Sequence, residues 1–330
     1  MKVFRLLILI VTLSFTFQAF ALDKNGNSYI RVLIGDRRPL VNDLEKLKKV
    51  SGKTIISGST YQGEIEIWKG SDGYFLINVI DLEEYVKGVV ASEIGIHWPE
   101  EALKAQAVLA RTYAVAHIIR NRTKNFYDVT SSVFHQVYKA DEGIQEVEKA
   151  VKETKGQILT YLGEPIMAFY HACSVGKTED PKEVFGKDYP YLKPVIVPST
   201  PSPYSIWEKK IPFEMLEKAL SMEKISEVSI LSYTSTGRVK EIEFSDGGNK
   251  KVIKATELRK LLNWSALPST MIKSVRIEEN SVVFEGNGFG HGVGMCQWCA
   301  FQMAQEGKNY KEILKYFYPE TEISLIDENN

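Results

Sequence analysis

The chain has 330 residues, of which 44% are hydrophobic and 25% charged, with a formal net charge of -1. This composition excludes a long disordered chain, and the even charge balance argues against a nucleic-acid partner. Three cysteines allow at most one internal disulfide, so the core has to hold by burial, which a chain of this length can supply.

The N-terminal stretch MKVFRLLILIVTLSFTFQAFALDKN places Lys2 and Arg5 before an apolar run, Leu6 to Phe17, and then the small-x-small triplet Ala19-Phe20-Ala21. That is the layout of an export signal peptide over residues 1–21, with an uncleaved anchor as the alternative. Either one predicts an exported chain, in the periplasm or cell envelope. No cysteine follows the apolar run, so a lipoprotein signal is absent. A β-rich N-terminal region over 22–74 is expected from SYIRVLIG (28–35) and the start of GEIEIWKGSDGYFLINVI (63–80), where apolar and polar residues alternate around glycine turns.

Over 81–120 the period changes. A long helix is expected to start near Pro99, since proline suits the first turn and Glu100 and Glu101 suit the positive end of the helix dipole. Leu103, Ala107, Ala110, Ala114 and Ile118 recur at helical spacing as a buried stripe, and its alanines imply close packing. Gln106, Arg111, Tyr113 and His117 fall outside that stripe, on a face that is either solvated or lines a cleft. Residues 126–140 read as a loop-bearing segment and 141–155 as a short charged helix. QILTYLGEPIMAFYHACS (157–174) reads as a hairpin about Gly163-Glu164. The stretch 186–207 holds five of the twelve prolines and reads as a long surface connection. Residues 210–280 read as a smaller α+β unit, with helices at IPFEMLEKAL and ATELRKLLN, a strand pair turning near Gly237, and a hairpin in SVRIEENSVVFEG. Two closing helices, WCAFQMAQEG and YKEILKYFYPETEI, precede a tail over 321–330. The fold class expected is α+β.

The chemistry-bearing stretch is GNGFGHGVGMCQWCAFQMA, 286–304. Its glycine spacing is not that of a dinucleotide loop, and no Gly-Lys-Ser/Thr comes after it, so it is not a phosphate cradle. The glycines are expected to let the backbone turn sharply and approach a ligand or another chain segment. Cys296 and Cys299 form a Cys-x-x-Cys pair with three open readings: a disulfide in a tight turn, a metal site such as zinc that includes Cys173, or a redox pair. Glu93, in Ala-Ser-Glu-Ile-Gly-Ile, is an isolated carboxyl among small and apolar neighbours. Such a setting raises a carboxyl pKa and suits a general acid. The alternative is an ordinary capping or surface glutamate. Aromatic residues near these loops, among them Trp98, Tyr138, Tyr170, Trp207 and Trp298, suit either core packing or stacking on sugar faces.

Taken in order, Ser92-Glu93, the run from Trp98 to Tyr113, Gln136-Val-Tyr138, Tyr170 to Glu179, Ser235-Thr-Gly-Arg238 and Gly288 to Trp298 resemble the stage II sporulation protein D and amidase enhancer family. The similar region spans about 75–320, with 210–280 as an insertion. The resemblance implies a protein active on peptidoglycan glycan strands: a lytic transglycosylase whose catalytic glutamate matches Glu93, or an enhancer of an N-acetylmuramoyl-L-alanine amidase. Gln106, Arg111, Tyr113, His171, His291 and Gln297 are the expected substrate contacts. A one-carboxylate mechanism requires no cofactor. The family usually carries serine and glycine where this chain has Cys296 and Cys299, and serine or threonine in place of Cys173. Some sporulation members hold zinc near the site, so a metal on Cys173, Cys296 and Cys299 is a further expectation.

Overall fold

The computed structural model describes residues 28–35, 45–71, 73–94, 97–121, 125–132, 136–139 and 144–326. The expected signal peptide over 1–21 lies outside them. The described residues form a mixed α+β fold with eight helices and several small sheets.

The first sheet has five strands in the order Glu45–Ser51, Glu64–Gly70, Gly73–Asp81, Tyr29–Leu33, Val129–Thr130. All its pairs are antiparallel except the last. The expected boundary at 74/75 therefore falls inside a strand, and the β-rich entry region shares one sheet with Val129–Thr130 of the next region. The lysine-rich strand Glu45–Ser51 carries no clean alternation and is exposed along almost its whole length. Charge of this kind is what keeps a sheet edge from pairing with other chains.

Asp81 ends the central strand and caps helix α1 (Leu82–Glu93), its carboxylate accepting from the Glu83 and Glu84 amides. Helix α2 (Glu100–Asn121) is buried almost all round from Ala102 to Ile118. The predicted stripe does pack as expected, with Leu103, Ala107, Ala110, Ala114 and Ile118 set against the sheet, α1 and α3 (Gln145–Glu153). The opposite side is not solvated, however. Ala105, Val108, Leu109, Tyr113 and Ala116 enter a second core with Leu159, Met167, Tyr189, Tyr191, α7 (Gln297–Gln305) and α8 (Tyr310–Phe317). A helix with cores on both sides loses the amphipathic signature, because polar residues within it must also be buried.

The 157–174 hairpin is short. Gln157–Tyr161 pairs with Glu164–Pro165, after which the chain diverges, and Tyr170–His171 pairs in parallel with Met295–Cys296 instead. The other side of Gln157–Tyr161 is taken by Glu322–Leu325, so much of the expected tail is a strand. The stretch 186–207 is less of a surface connection than its prolines suggest, since Tyr189, Tyr191, Leu192 and Val197 are buried. It continues from the short helix α4 (Pro181–Phe185) and leads into the inserted unit.

That unit has its own core of Trp207, Ile211, Leu216, Ile242, Phe244, Leu258, Ile272 and Phe284. It is built from α5 (Phe213–Leu220), α6 (Ala255–Leu261) and two three-stranded sheets. The turn at Gly237 and the second hairpin, Ile272–Glu278 with Ser281–Gly286, fall where the pattern puts them.

Candidate active site

Glu93 is the last residue of α1. Its carboxyl Oε1 accepts the Val137 amide at 2.7 Å. The 136–139 segment is seated on α1 by Gly88, where a Cβ would come within 2.5 Å of the Lys139 carbonyl and 2.7 Å of the Tyr138 ring. Side chains fix the same segment. Tyr85 donates its hydroxyl to Gln136 Oε1 at 3.0 Å, Gln136 reaches the Ala110 carbonyl, and Tyr138 donates to Asn78 Oδ1 at 2.9 Å. Burial pushes the Glu93 carboxyl above its ordinary 4.5, and the Val137 amide and the Tyr170 hydroxyl pull the other way without cancelling it. The Tyr170 hydroxyl is itself buried with no fully formed hydrogen bond among the described residues. Burial and the neighbouring Glu93 raise its pKa well above 10.0, so it stays a neutral donor.

Two of the expected polar contacts meet each other. Gln106 and Gln297, both buried, face each other with Gln297 Nε2 donating to Gln106 Oε1 at 3.4 Å, and Gln106 Nε2 has no partner among the described residues. Along α2, Gln106, Ala110 and Tyr113 lie one above another. Tyr113 stacks on His117 with ring centroids 4.1 Å apart.

Three expected contacts are committed elsewhere. Arg111 has no exposure. It makes a bidentate pair with Glu83 at 2.8 and 2.7 Å and donates to the Gln157 carbonyl at 3.1 Å, tying α1, α2 and the following strand together. His171 is buried between the Val293 carbonyl at 3.2 Å and the Ser174 hydroxyl at 2.5 Å, and Ser174 in turn accepts from the buried Arg238 at 2.9 Å. Burial first, then His291 and Arg238, hold His171 neutral. His291 accepts the Val293 amide on Nδ1 at 3.0 Å and packs edge-on against Phe185. Burial, with Arg259 and Arg238 behind it, lowers its pKa to about 3. These imidazoles brace the glycine loop.

The glycines of that loop make room for other parts of the chain, the Cys173 and Phe169 carbonyls at Gly288 and Gly294 and the His171 and Arg238 side chains at Gly290 and Gly292. Gly288, Gly290, Gly292 and Gly294 all have positive φ, and a Cβ on Gly294 would lie 1.9 Å from the Phe169 carbonyl. Cys173 and Phe289 exchange backbone hydrogen bonds, and Trp298 donates to the Ala172 carbonyl, so the loop is laced to 169–173. At its end Cys296 and Cys299 form a disulfide across the first turn of α7, leaving Cys173 as a buried free thiol. Sulfurs joined to each other are not thiolate ligands, and the described residues contain no group of three or more His, Cys, Asp or Glu that could hold a metal ion. Zinc therefore has no ligand set among the described residues. Missing from the sequence-based site are Gln136, the Val137 amide and Tyr170. The first two lie in a short motif whose spacing says nothing of a backbone donor, and Tyr170 reads in the sequence only as one aromatic among several.

The fold and site together define a class: an α+β protein with one glutamate of raised pKa at a helix end, held by the Val137 amide with the Tyr170 hydroxyl near it. Residues 71–161 match the family described as stage II sporulation protein, and residues 205–294 match a domain of unknown function, DUF8618. The chain is 34% identical to an uncharacterized protein of Brachyspira hyodysenteriae over 83% of its own length and 74% of that protein's. It is 32% identical to stage II sporulation protein D of Bacillus subtilis over 75% of its length and 76% of that relative's. A 28% match to the amidase enhancer of the same organism covers 72% of this chain and 40% of the enhancer. The chain belongs to the stage II sporulation protein D family.

Proposed function

We propose that the protein is an exported lytic transglycosylase that cuts peptidoglycan glycan strands, peptide-stripped ones in particular, between N-acetylmuramic acid and N-acetylglucosamine. The observation that carries this reading is Glu93: a carboxyl raised by burial and held in place by a backbone amide. A hydrolase of the usual kind needs two carboxylates. One suffices when the nucleophile belongs to the substrate.

Protonated Glu93 gives its proton to the glycosidic oxygen, and the bond from that oxygen to C1 of the muramyl sugar breaks. The resulting carboxylate then takes the proton of the C6 hydroxyl, whose oxygen bonds to C1 and closes a 1,6-anhydro ring. The proton returns to Glu93 and no water is consumed. The Val137 amide holds Oε1, the Tyr170 hydroxyl stabilises the carboxylate between the two transfers, and the Gln106 and Gln297 amides suit the acetamido and hydroxyl groups of the sugars. Peptide-free strands incubated with wild-type protein are expected to yield anhydromuramyl ends, and Glu93→Gln to reduce their rate by at least about a thousandfold.

The relative called an amidase enhancer supports a second reading, in which the chain stimulates an N-acetylmuramoyl-L-alanine amidase without cutting glycan. Under it, wild-type protein yields no anhydro ends, and Glu93→Gln enhances the amidase as well as wild type does.

A further inference from the structure

The three cysteines of the chain meet at one peptide group, that of Ser174. Cys173 Sγ donates to the Ser174 carbonyl at 3.7 Å, and Cys299 Sγ lies 3.9 Å from the same oxygen. The Ser174 amide donates to Cys296 Sγ at 3.3 Å. The buried free thiol of Cys173 and the Cys296–Cys299 disulfide are therefore neighbours in the interior. Inert cysteines sit in apolar surroundings and reactive ones in electropositive ones. Burial pushes the Cys173 thiol up, while the Ser202 and Thr200 hydroxyls, the Arg238 guanidinium and the Ser205 hydroxyl pull the other way without cancelling it. Arg238 is itself buried. It donates to the Ser174 hydroxyl at 2.9 Å, and its Nε and Nη1 have no hydrogen-bond partner among the described residues. The Glu179 carboxylate acts on this guanidinium, and so does Cys173. A buried cation whose donors are incompletely paired is costly, and a thiolate at Cys173 would supply negative charge beside it. Cys296 has the surroundings of a leaving group. Its Sγ accepts the Cys299 amide at 3.2 Å as well as the Ser174 amide, and it caps the N-terminus of α7. Two amides and the positive end of a helix favour a thiolate there, and a sulfur so stabilised leaves faster in exchange.

We propose that Cys173, Cys296 and Cys299 are a thiol–disulfide exchange centre, through which the protein passes between two disulfide isomers. Cys173 gives up its proton, and its sulfur bonds to Cys299 Sγ. The Cys296–Cys299 bond breaks, and Cys296 leaves as a thiolate that takes up the proton. One disulfide and one thiol are present before and after, so no oxidant or reductant is consumed. Cys299 is the sulfur attacked because it shares the Ser174 carbonyl with Cys173, whereas Cys296 is held on the amide side. The exchange moves the cross-link from within the first turn of α7 to a tie between α7 and the segment that follows the Tyr170–His171 strand. The centre stands on the placement of the sulfurs and does not depend on the glycan reading.

The test is disulfide mapping of the full-length protein. Native protein is held at mildly alkaline pH, stopped with acid, unfolded in mildly acidic guanidinium with N-ethylmaleimide, and cut with pepsin without reduction. The maleimide marks the free cysteine, and the cross-linked peptide identifies the isomer. Wild type is expected to give two populations, one with Cys173 marked and Cys296 joined to Cys299, the other with Cys296 marked and Cys173 joined to Cys299. Cys173→Ser, which lacks the attacking thiol, is expected to carry no mark. Reduced Cys296→Ser, refolded in a glutathione redox buffer, is expected to form the Cys173–Cys299 bond, with circular dichroism confirming the fold. A wild-type map with the mark on Cys173 alone overturns the exchange centre. So does a mark on Cys299, which would join Cys173 to Cys296, and so does a folded Cys296→Ser that keeps two thiols. Should Cys296→Ser fail to fold, the wild-type map decides by itself.

Discussion

Glu93 carries a stability signature that can be read without any substrate. Its folded pKa is raised above the unfolded value, so the native state binds more protons than the unfolded state in the window just above 4.5. The sign of the linkage then makes stability fall as pH rises through that window. Glu93→Gln, which keeps the acceptor for Val137, is expected to unfold at a higher temperature than wild type at pH 7, with the two converging below pH 4.5. A lower Tm for the variant at pH 7 would mean that the carboxylate is stabilised by its surroundings. Arg111 makes the opposite prediction. Its guanidinium has no exposure and completes a bidentate pair, so Arg111→Ala leaves Glu83 and the Gln157 carbonyl without it. The expected cost is about 3 kcal/mol, seen as a lower urea midpoint, with KM unchanged where the variant is folded. A large KM effect at full stability would restore Arg111 to the substrate. Its isolation among small and apolar neighbours made the raised carboxyl of Glu93 legible in the sequence. The partners that Arg111 and His171 hold inside the fold, Glu83 and Ser174 among them, were not legible, because residue type does not reveal which buried group a polar side chain meets.

At the scale of elements, α2 and the turn into α7 set the geometry. The alanine stripe of α2 was readable at helical spacing, but its second buried face was not. Ala105, Val108, Leu109 and Ala116 are scattered among polar residues, and only the arrival of α7 and α8 from the far end of the chain turns them into core. For the same reason Glu322–Leu325 escaped notice, although its alternation is a strand pattern, since its partner lies at Gln157–Tyr161. The Cys-x-x-Cys pair left a disulfide, a metal and a redox couple open, because spacing alone cannot say which sulfurs meet. With the disulfide closing a four-residue turn, reduction or Cys296→Ser is expected to cost about 2 kcal/mol of stability by chain entropy. It is also expected to weaken oligosaccharide binding, since Gln297 lies between the two cysteines. Binding that is indifferent to reduction would confine the disulfide to a stabilising role.

Across the whole molecule, the site is assembled from distant parts of the chain: the end of α1, the 136–139 segment, α2, the Tyr170 strand and the start of α7. The inserted unit, with its separate core, contributes Arg238 to the bracing of Ser174 and no group to Glu93 among the described contacts. The α+β class was visible in the order of elements, but the assembly of the candidate site depended on pairings such as Tyr170 with Met295 that no local pattern encodes. In the transglycosylase reading proposed above, Glu93 is the one carboxyl at the reacting bond and the nucleophile comes from the sugar. Digestion of peptide-free glycan strands in oxygen-18 water measures this directly. Muramyl ends with the mass of the 1,6-anhydro sugar and no heavy oxygen are the result expected. Reducing muramyl ends that carry one heavy oxygen would show that water attacks, and would contradict the single-carboxylate mechanism assigned to Glu93.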